Sequence, residues 1–120
     1  MLAAYPDDHP VVAATGGSKL GEAVEGIRAG GVGLVSFATV SDLPLLRPGD
    51  SGMSAVRDFR PGEALEVHRR QLEALRALAE EDGNRLVSSA ADVDAAQAAG
   101  ELAVFVACEG GDFLEGQIGR

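Results

Sequence analysis

The chain has 120 residues, enough for one domain, and it is 46% hydrophobic and 24% charged, so we expect a packed core rather than disorder. Its formal net charge of −9 argues against nucleic acid or an anionic membrane as a partner, because both require a basic surface. A single cysteine excludes an intrachain disulfide, and residues 1–10 lack a secretory signal, so we expect a cytoplasmic protein. No apolar run reaches the ~20 residues that a membrane span needs, so we expect no membrane span.

The first part of the chain predicts a strand, a helix and a second strand. Residues 11–15 are a short apolar run that predicts a weak strand, and Ser18 can cap the helix that follows. Gly30-Gly31 should end that helix, because glycine accepts the left-handed conformation of a helix end. Residues 32–40 are rich in β-branched and apolar side chains and predict a buried strand. Four apolar residues share one face of the helix at helical spacing: Leu20, Ala23, Val24 and Ile27.

The middle of the chain predicts a long irregular segment followed by a long helix. Residues 42–60 contain Pro44, Pro48 and two glycines, a composition typical of a functional or mobile loop. Residues 61–81 predict the helix, which Asp82-Gly83 should end. His68 lies mid-helix near the apolar stripe, and we expect it at the boundary of the core rather than in a metal site. The apolar stripe predicted to face the core comprises Leu65, Leu72, Leu75 and Ala79.

The last part of the chain predicts a short strand, a short helix and a buried strand. Residues 85–88 form the short strand, and Ser89 with Asp92 resembles a capping box that opens a helix to Ala99. Residues 102–108 are apolar on both faces, as inside a parallel sheet, and Cys108 is expected to be a small core residue. The alternation of strands and helices predicts an α/β fold with parallel strands.

Glu109 is the strongest candidate for chemistry. Functional groups in α/β folds gather at the carboxyl ends of parallel strands, and Glu109 directly follows the most apolar strand. A carboxylate there is expected to be partly buried, and it then needs a cation, hydrogen-bond donors or a proton. Gly110 and Gly111 allow a sharp turn and leave space around it. The alternative interpretation is that Glu109 caps the next helix and the glycines only form the turn.

Four features in sequence order resemble one family of enzymes. The segment Glu109-Gly110-Gly111-Asp112-Phe113-Leu114 resembles the glutamate-glycine-glycine segment of the membrane (renal) dipeptidase family, peptidase family M19. Arg28-Ala29-Gly30-Gly31-Val32-Gly33 resembles the family's approach to its second strand, and Ala90-Ala91-Asp92-Val93 resembles the stretch before the glutamate strand. The long helix of residues 61–81 also lies where the family has one. The resemblance extends from about residue 21 onward.

The resemblance implies a (β/α)8 TIM barrel of the metal-dependent hydrolase type and a zinc-dependent dipeptidase that cleaves small peptides or related amides with a metal-bridged hydroxide. Glu109 then takes the position of the carboxylate that bridges two zinc ions. The first-strand pair of ligands departs from the family pattern, because Val11 stands two residues after His9. If His9 is the second ligand, Asp7 occupies the first position, so the implied metal ligands are Glu109, His9 and Asp7. A polar N-terminal tail is the alternative interpretation of Asp7 and His9.

A complete barrel of this kind takes ~250 residues. We therefore expect residues 1–120 to form the N-terminal part of a single barrel domain, about its first three to four strands, inactive alone and open to association into a homo-oligomer. The alternative is a non-catalytic α/β binding or assembly module. Its weak candidate for a phosphate-binding loop is Thr15-Gly16-Gly17-Ser18-Lys19, which has the strand–glycine–helix order for an anion but lacks P-loop spacing.

Overall fold

The computed structural model of the protein describes residues 20–117. Within that range the helices are α1 (Leu20–Ala29), α2 (Glu63–Ala79) and α3 (Ala90–Ala98). The strands are β1 (Leu34–Val40), β2 (Leu46–Gly49), β3 (Gly52–Ala55), β4 (Asn84–Leu86) and β5 (Leu102–Glu109). Two short 3-10 turns, Leu43–Leu45 and Asp112–Leu114, follow β1 and β5. The strand and helix cap predicted at residues 11–15 and Ser18 lie outside the described residues.

The main sheet has three parallel strands in the order β1-β5-β4. β1 and β5 pair along the whole of β1, from Leu34 opposite Ala103 to Val40 opposite Glu109. β4 pairs only with the first three residues of β5. The predicted α/β fold with parallel strands is therefore confirmed. The second half of β5 has β1 as its one neighbouring strand in the described part of the chain.

The position of β4 corrects one detail of the prediction. Successive strands of a (β/α)8 barrel are neighbours, but β4 lies on the far side of β5 and does not pair with β1. The short strand predicted at residues 85–88 is present as Asn84–Leu86, but it does not lie between β1 and β5 as a successive barrel strand would. β4 is a three-residue addition to the outer edge of β5, and residues 20–117 form an open sheet.

One face of the sheet carries the main core. Helices α1 and α2 cover it, and the side chains of Phe37, Leu75 and Val104 are almost fully buried at its centre. Alternation along a strand puts the odd-numbered residues of β1 and the even-numbered residues of β5 on this face. The members of this core are Val24, Phe37, Leu75, Leu78, Ala79, Leu102 and Val104, with Ile27, Val35 and Val106 packed against them.

The opposite face of the sheet is only partly covered. Helix α3 packs Ala96 against Val87 and Ala103 near the start of β5. On the same face Leu34, which lies opposite Ala103, and Phe105 are each 46% exposed. The expectation that residues 102–108 are buried throughout is therefore correct for the first three residues and wrong for the second half, which has fewer strands and helices around it.

Helix α2 buries a different face from the predicted stripe. Leu75 and Ala79 are buried as expected, whereas Leu65 and Leu72 are only half-buried. In the first half of the helix the buried positions include His68 and Gln71. This part of α2 lies over the end of β1, where polar atoms of Thr39 and Val40 supply hydrogen-bond partners for those two side chains.

Local signals place the helix ends well. Gly31 has φ 74°, and the bonds from Val32 N to Ile27 O (3.2 Å) and from Gly31 N to Arg28 O (2.9 Å) form a Schellman motif that ends α1. At α3 the predicted capping box of Ser89 and Asp92 is confirmed in both directions. These motifs depend on neighbouring residues alone, which is why the sequence reveals them.

The segment of residues 42–60 is more ordered than predicted. It contains a β-hairpin in which β2 and β3 pair antiparallel, from Leu46 opposite Ala55 to Gly49 opposite Gly52. Gly52 has φ 112°, a conformation that favours glycine at the turn. Pro48 is tolerated because this two-stranded ribbon leaves one side of each strand unpaired. Across residues 20–117, no helix has the length and apolar character needed to cross a membrane.

Candidate functional site

The carboxyl ends of β1 and β5 lie side by side, and Glu109 stands at that edge opposite Val40. Alternation along β5 puts Glu109 on the face that also carries Phe105, while Cys108 belongs to the other face. Glu109 is exposed, so the expectation of a partly buried carboxylate is wrong. The reason is the single neighbouring strand and the lack of a covering helix at this end of β5 among the described residues. An exposed carboxylate needs no buried partner and is open to a ligand from solvent.

The turn after Glu109 tests the interpretation that this residue caps the next helix. Gly110 has φ 80°, and Gly111, rather than Glu109, occupies the N-terminal cap position of the following 3-10 turn. That cap position makes no side-chain hydrogen bond. A Cβ atom on Gly110 would lie 3.2 Å from Asp112 Oδ2, so the turn is also tight. Glu109 therefore does not serve as a helix cap in this structure.

His68 connects helix α2 to both strand ends. Its side chain is buried, with 8% of the residue exposed, and its Nδ1 atom lies 3.0 Å from Thr39 Oγ1. Its ring stacks on Phe113, with the ring centroids 4.0 Å apart and the planes at 11°. Burial lowers the pKa of His68 below its ordinary value, which favours the neutral imidazole. The expected boundary position is therefore wrong, because His68 lies inside the contact between α2, β1 and the turn of Asp112–Leu114.

Gln71 fixes the end of β1 from the same helix. It is 5% exposed, and its Oε1 atom accepts a hydrogen bond of 2.7 Å from Val40 N while its Nε2 atom donates one of 3.0 Å to Val40 O. Val40 is the strand partner of Glu109, so Gln71 supports the edge where Glu109 lies. Gln71 was not among the candidate residues predicted from the sequence. The signal was present, because His68 and Gln71 precede Leu75 at helical spacing on the core face.

A charged cluster borders the turn at the start of α2. The Glu63 carboxylate receives two hydrogen bonds from the Arg57 guanidinium, of 2.7 and 2.8 Å, and one of 2.9 Å from Arg60 N. These bonds hold the pKa of Glu63 well below its usual range. Because the cluster is exposed, its effect on stability is modest. A shallow depression beside it is lined by Phe59, Arg60, Pro61, Ala64, Asp112 and Glu115.

The ligand set expected for zinc is not assembled within the described residues. Residues 20–117 contain no group of three or more His, Cys, Asp or Glu side chains that could hold a metal ion. Asp7 and His9 lie outside the described residues, as does the loop from Thr15 to Lys19. An exposed carboxylate at a strand end suits one oxygen ligand of zinc, so Glu109 fits part of such a site. Cys108, expected in the core, is instead an exposed free cysteine on the opposite face.

No family model matches the chain, and comparisons with curated proteins and with solved structures also gave no match. The resemblance to the dipeptidases therefore rests on the quoted motifs, and the candidate site rests on the geometry around Glu109.

Proposed function

We propose that this chain is part of a zinc-dependent dipeptidase in which Glu109 is a metal ligand. The observation that carries the proposal is the position of Glu109, exposed at the carboxyl end of a parallel strand and followed by Gly110-Gly111. Parallel α/β folds place their functional groups at that end of the sheet. The motifs that resemble peptidase family M19 supply the class of reaction, the hydrolysis of a dipeptide or a related amide.

The arrangement of β1 and β5 supports the proposal of a (β/α)8 barrel. The two strands are adjacent and parallel, and the long helix α2 packs on one face of the pair. In a barrel that face would be the outer one. The other face carries Leu34, Phe105 and Glu109 and would then line the interior, with functional groups at its carboxyl-terminal rim. Helix α3, which packs on that face against Ala103 at the start of β5, would then have to lie at the amino-terminal end of the barrel. β4 would be an addition outside the succession of barrel strands.

The proposed chemistry assigns separate tasks to the metal and to the chain. Bound zinc would act as a Lewis acid on the peptide carbonyl and would lower the pKa of water. The Glu109 carboxylate would hold the metal, with Asp7 and His9 as further proposed ligands. Gly110 and Gly111 carry no side chains that would block the approach of a peptide to this edge.

Zinc titration of the protein by calorimetry tests the assignment of Glu109. We expect Glu109→Gln to weaken zinc binding at least about tenfold, because the amide loses the charge that holds the cation. Glu73→Gln is the matched control, since Glu73 is an exposed carboxylate on α2 and should leave the affinity unchanged. Equal affinities for the wild type and Glu109→Gln would overturn the proposal.

The same titration tests the two proposed ligands near the N-terminus. We expect Asp7→Asn and His9→Gln to weaken zinc binding, because each removes a ligand atom or its charge. Asp8→Asn is the matched control, since it removes an equal charge from the residue between them. If all three variants bind zinc like the wild type, Asp7 and His9 are not ligands.

The exposed apolar side of the sheet favours a second candidate function, an assembly module. Leu34 and Phe105 lie on one face and are each 46% exposed, and apolar surface of this kind marks contacts with another chain. Sedimentation velocity should then show a concentration-dependent dimer that Phe105→Ser abolishes. Met53→Ser is the matched control, because Met53 is 51% exposed on the hairpin. A wild-type protein that stays monomeric at all concentrations would exclude this candidate.

A further inference from the structure

We infer that His68 is a positioning residue for Glu109, which it orients through Thr39 on β1 and Phe113 in the following turn. The inference rests on the proposed function in that it assumes a metal at Glu109. The contacts themselves hold whether or not zinc binds.

The two partners of His68 lie beside the residue before Glu109 and in the turn after it. Thr39, which shares the 3.0 Å hydrogen bond with His68 Nδ1, is the strand partner of Cys108, the residue just before Glu109. Phe113, which stacks on the ring, comes four residues after Glu109. A single imidazole ring thus contacts β1 beside the residue that precedes Glu109, and also contacts the turn that follows Glu109.

The turn after Glu109 is held to the rest of the protein mainly through its half-buried side chains. Gly110, Gly111 and Asp112 are exposed, and Phe113 and Leu114 are the half-buried residues of the turn. The stack on His68 is therefore a main attachment of the turn to the body of the protein. Without it, the two glycines after Glu109 leave the backbone free to adopt other conformations.

A second buried polar residue on the same face of α2 also contacts the end of β1. Gln71, one helical turn after His68, hydrogen-bonds both peptide groups of Val40, the strand partner of Glu109. Together the two side chains fix the backbone opposite Glu109 and the turn after it.

The experiment follows the turn and the metal separately. Amide hydrogen exchange by NMR reports on the turn, because Leu114 N and Glu115 N bond to Gly111 O (2.9 Å) and Asp112 O (3.0 Å). Zinc titration reports on Glu109. We expect His68→Leu to speed exchange of these two amides about tenfold relative to the amides of β5, through loss of the ring contact. It should also weaken zinc binding about tenfold, as the loss of a supporting residue around a ligand does.

Two further variants separate positioning from general stability. Leu78→Ala removes a buried side chain near the other end of α2, so it should lower the melting temperature yet leave the turn amides and the zinc affinity unchanged. His68→Phe keeps a ring for the stack and should restore most of the protection of the turn. Phe113→Leu removes the other ring of the stack, at a half-buried rather than a buried position. It should speed exchange of the turn amides as much as His68→Leu does, and it provides the test if His68→Leu folds poorly.

The outcomes are distinct. Turn amides that exchange alike in His68→Leu and Leu78→Ala would overturn the inference. Faster exchange of the turn with unchanged zinc affinity, in a protein whose binding depends on Glu109, would overturn it as well. If the wild type binds no zinc at all, the proposed function fails and His68 has no metal ligand to position, while the exchange data still decide whether His68 holds the turn.

Discussion

Replacing Gln71 with leucine tests how firmly the end of β1 is fixed. The side chain is buried and makes two hydrogen bonds, of 2.7 and 3.0 Å, to the peptide groups of Val40. Gln71→Leu removes both bonds and leaves a peptide N–H and a peptide C=O without their partner. Each buried group left unsatisfied costs roughly 1–3 kcal/mol, and the more apolar side chain offsets about 1 kcal/mol of that sum. We therefore expect a loss of about 1–5 kcal/mol, against the roughly 5–15 kcal/mol typical of a domain.

Urea unfolding followed by circular dichroism measures this loss as a shift of the midpoint at constant slope. Gln97→Leu is the matched control, because Gln97 is exposed on α3, and its effect should stay within about 0.5 kcal/mol. A loss for Gln71→Leu as small as that of the control would refute the reasoning. It would mean that water satisfies the Val40 peptide groups and that the edge beside Glu109 is open on that side too.

Three further predictions concern a helix cap, a titration and a thiol. Ser89→Ala should lower the free energy of unfolding, measured by urea titration, by about 1 kcal/mol, because Ser89 Oγ accepts a hydrogen bond from Asp92 N at the start of α3. Ser54→Ala on the exposed strand β3 is the control and should have no effect. Burial lowers the pKa of His68 from 6.5, so the unfolded state binds more protons than the folded state. The free energy of unfolding should therefore fall as the pH drops below 6.5, and His68→Phe should flatten that dependence. An equal pH dependence of stability in the variant would contradict this prediction. Cys108 is exposed, so a thiol reagent should label it in the native protein as fast as in urea, whereas slow native labelling would restore the core position predicted from the sequence.

The helices could be predicted from the sequence because their signals are local. Gly31 ends α1 with a left-handed φ, and Ser89 with Asp92 opens α3, each within one turn of chain. The hairpin of residues 46–55 was missed for a related reason. Its proline and glycines are typical of a loop, and only the antiparallel pairing of its two halves distinguishes it from one.

The environment of Glu109 could not be predicted because it depends on distant parts of the chain. The apolar run before it gives the type of strand, but burial depends on how many strands and helices surround that strand. β4 reaches only to Val104, so the end of β5 is paired on one side. The residue type and position of the candidate ligand followed from sequence, and its exposure and its supporting contacts did not.

The two halves of α2 show how the fold supports the candidate site. The second half buries Leu75 and Leu78 against the sheet, which is sufficient for a helix that only covers a core. The first half buries Ala64 and Val67 and, in addition, His68 and Gln71 over the strand ends, although buried polar groups stabilise a protein less than apolar packing unless their hydrogen bonds are made. His68 pairs with Thr39 and Gln71 bonds to both peptide groups of Val40, so both polar side chains have partners at the strand ends beside Glu109. Departures from an apolar pattern are expected at functional or strained sites, and these two lie at the edge where we propose Glu109 to act.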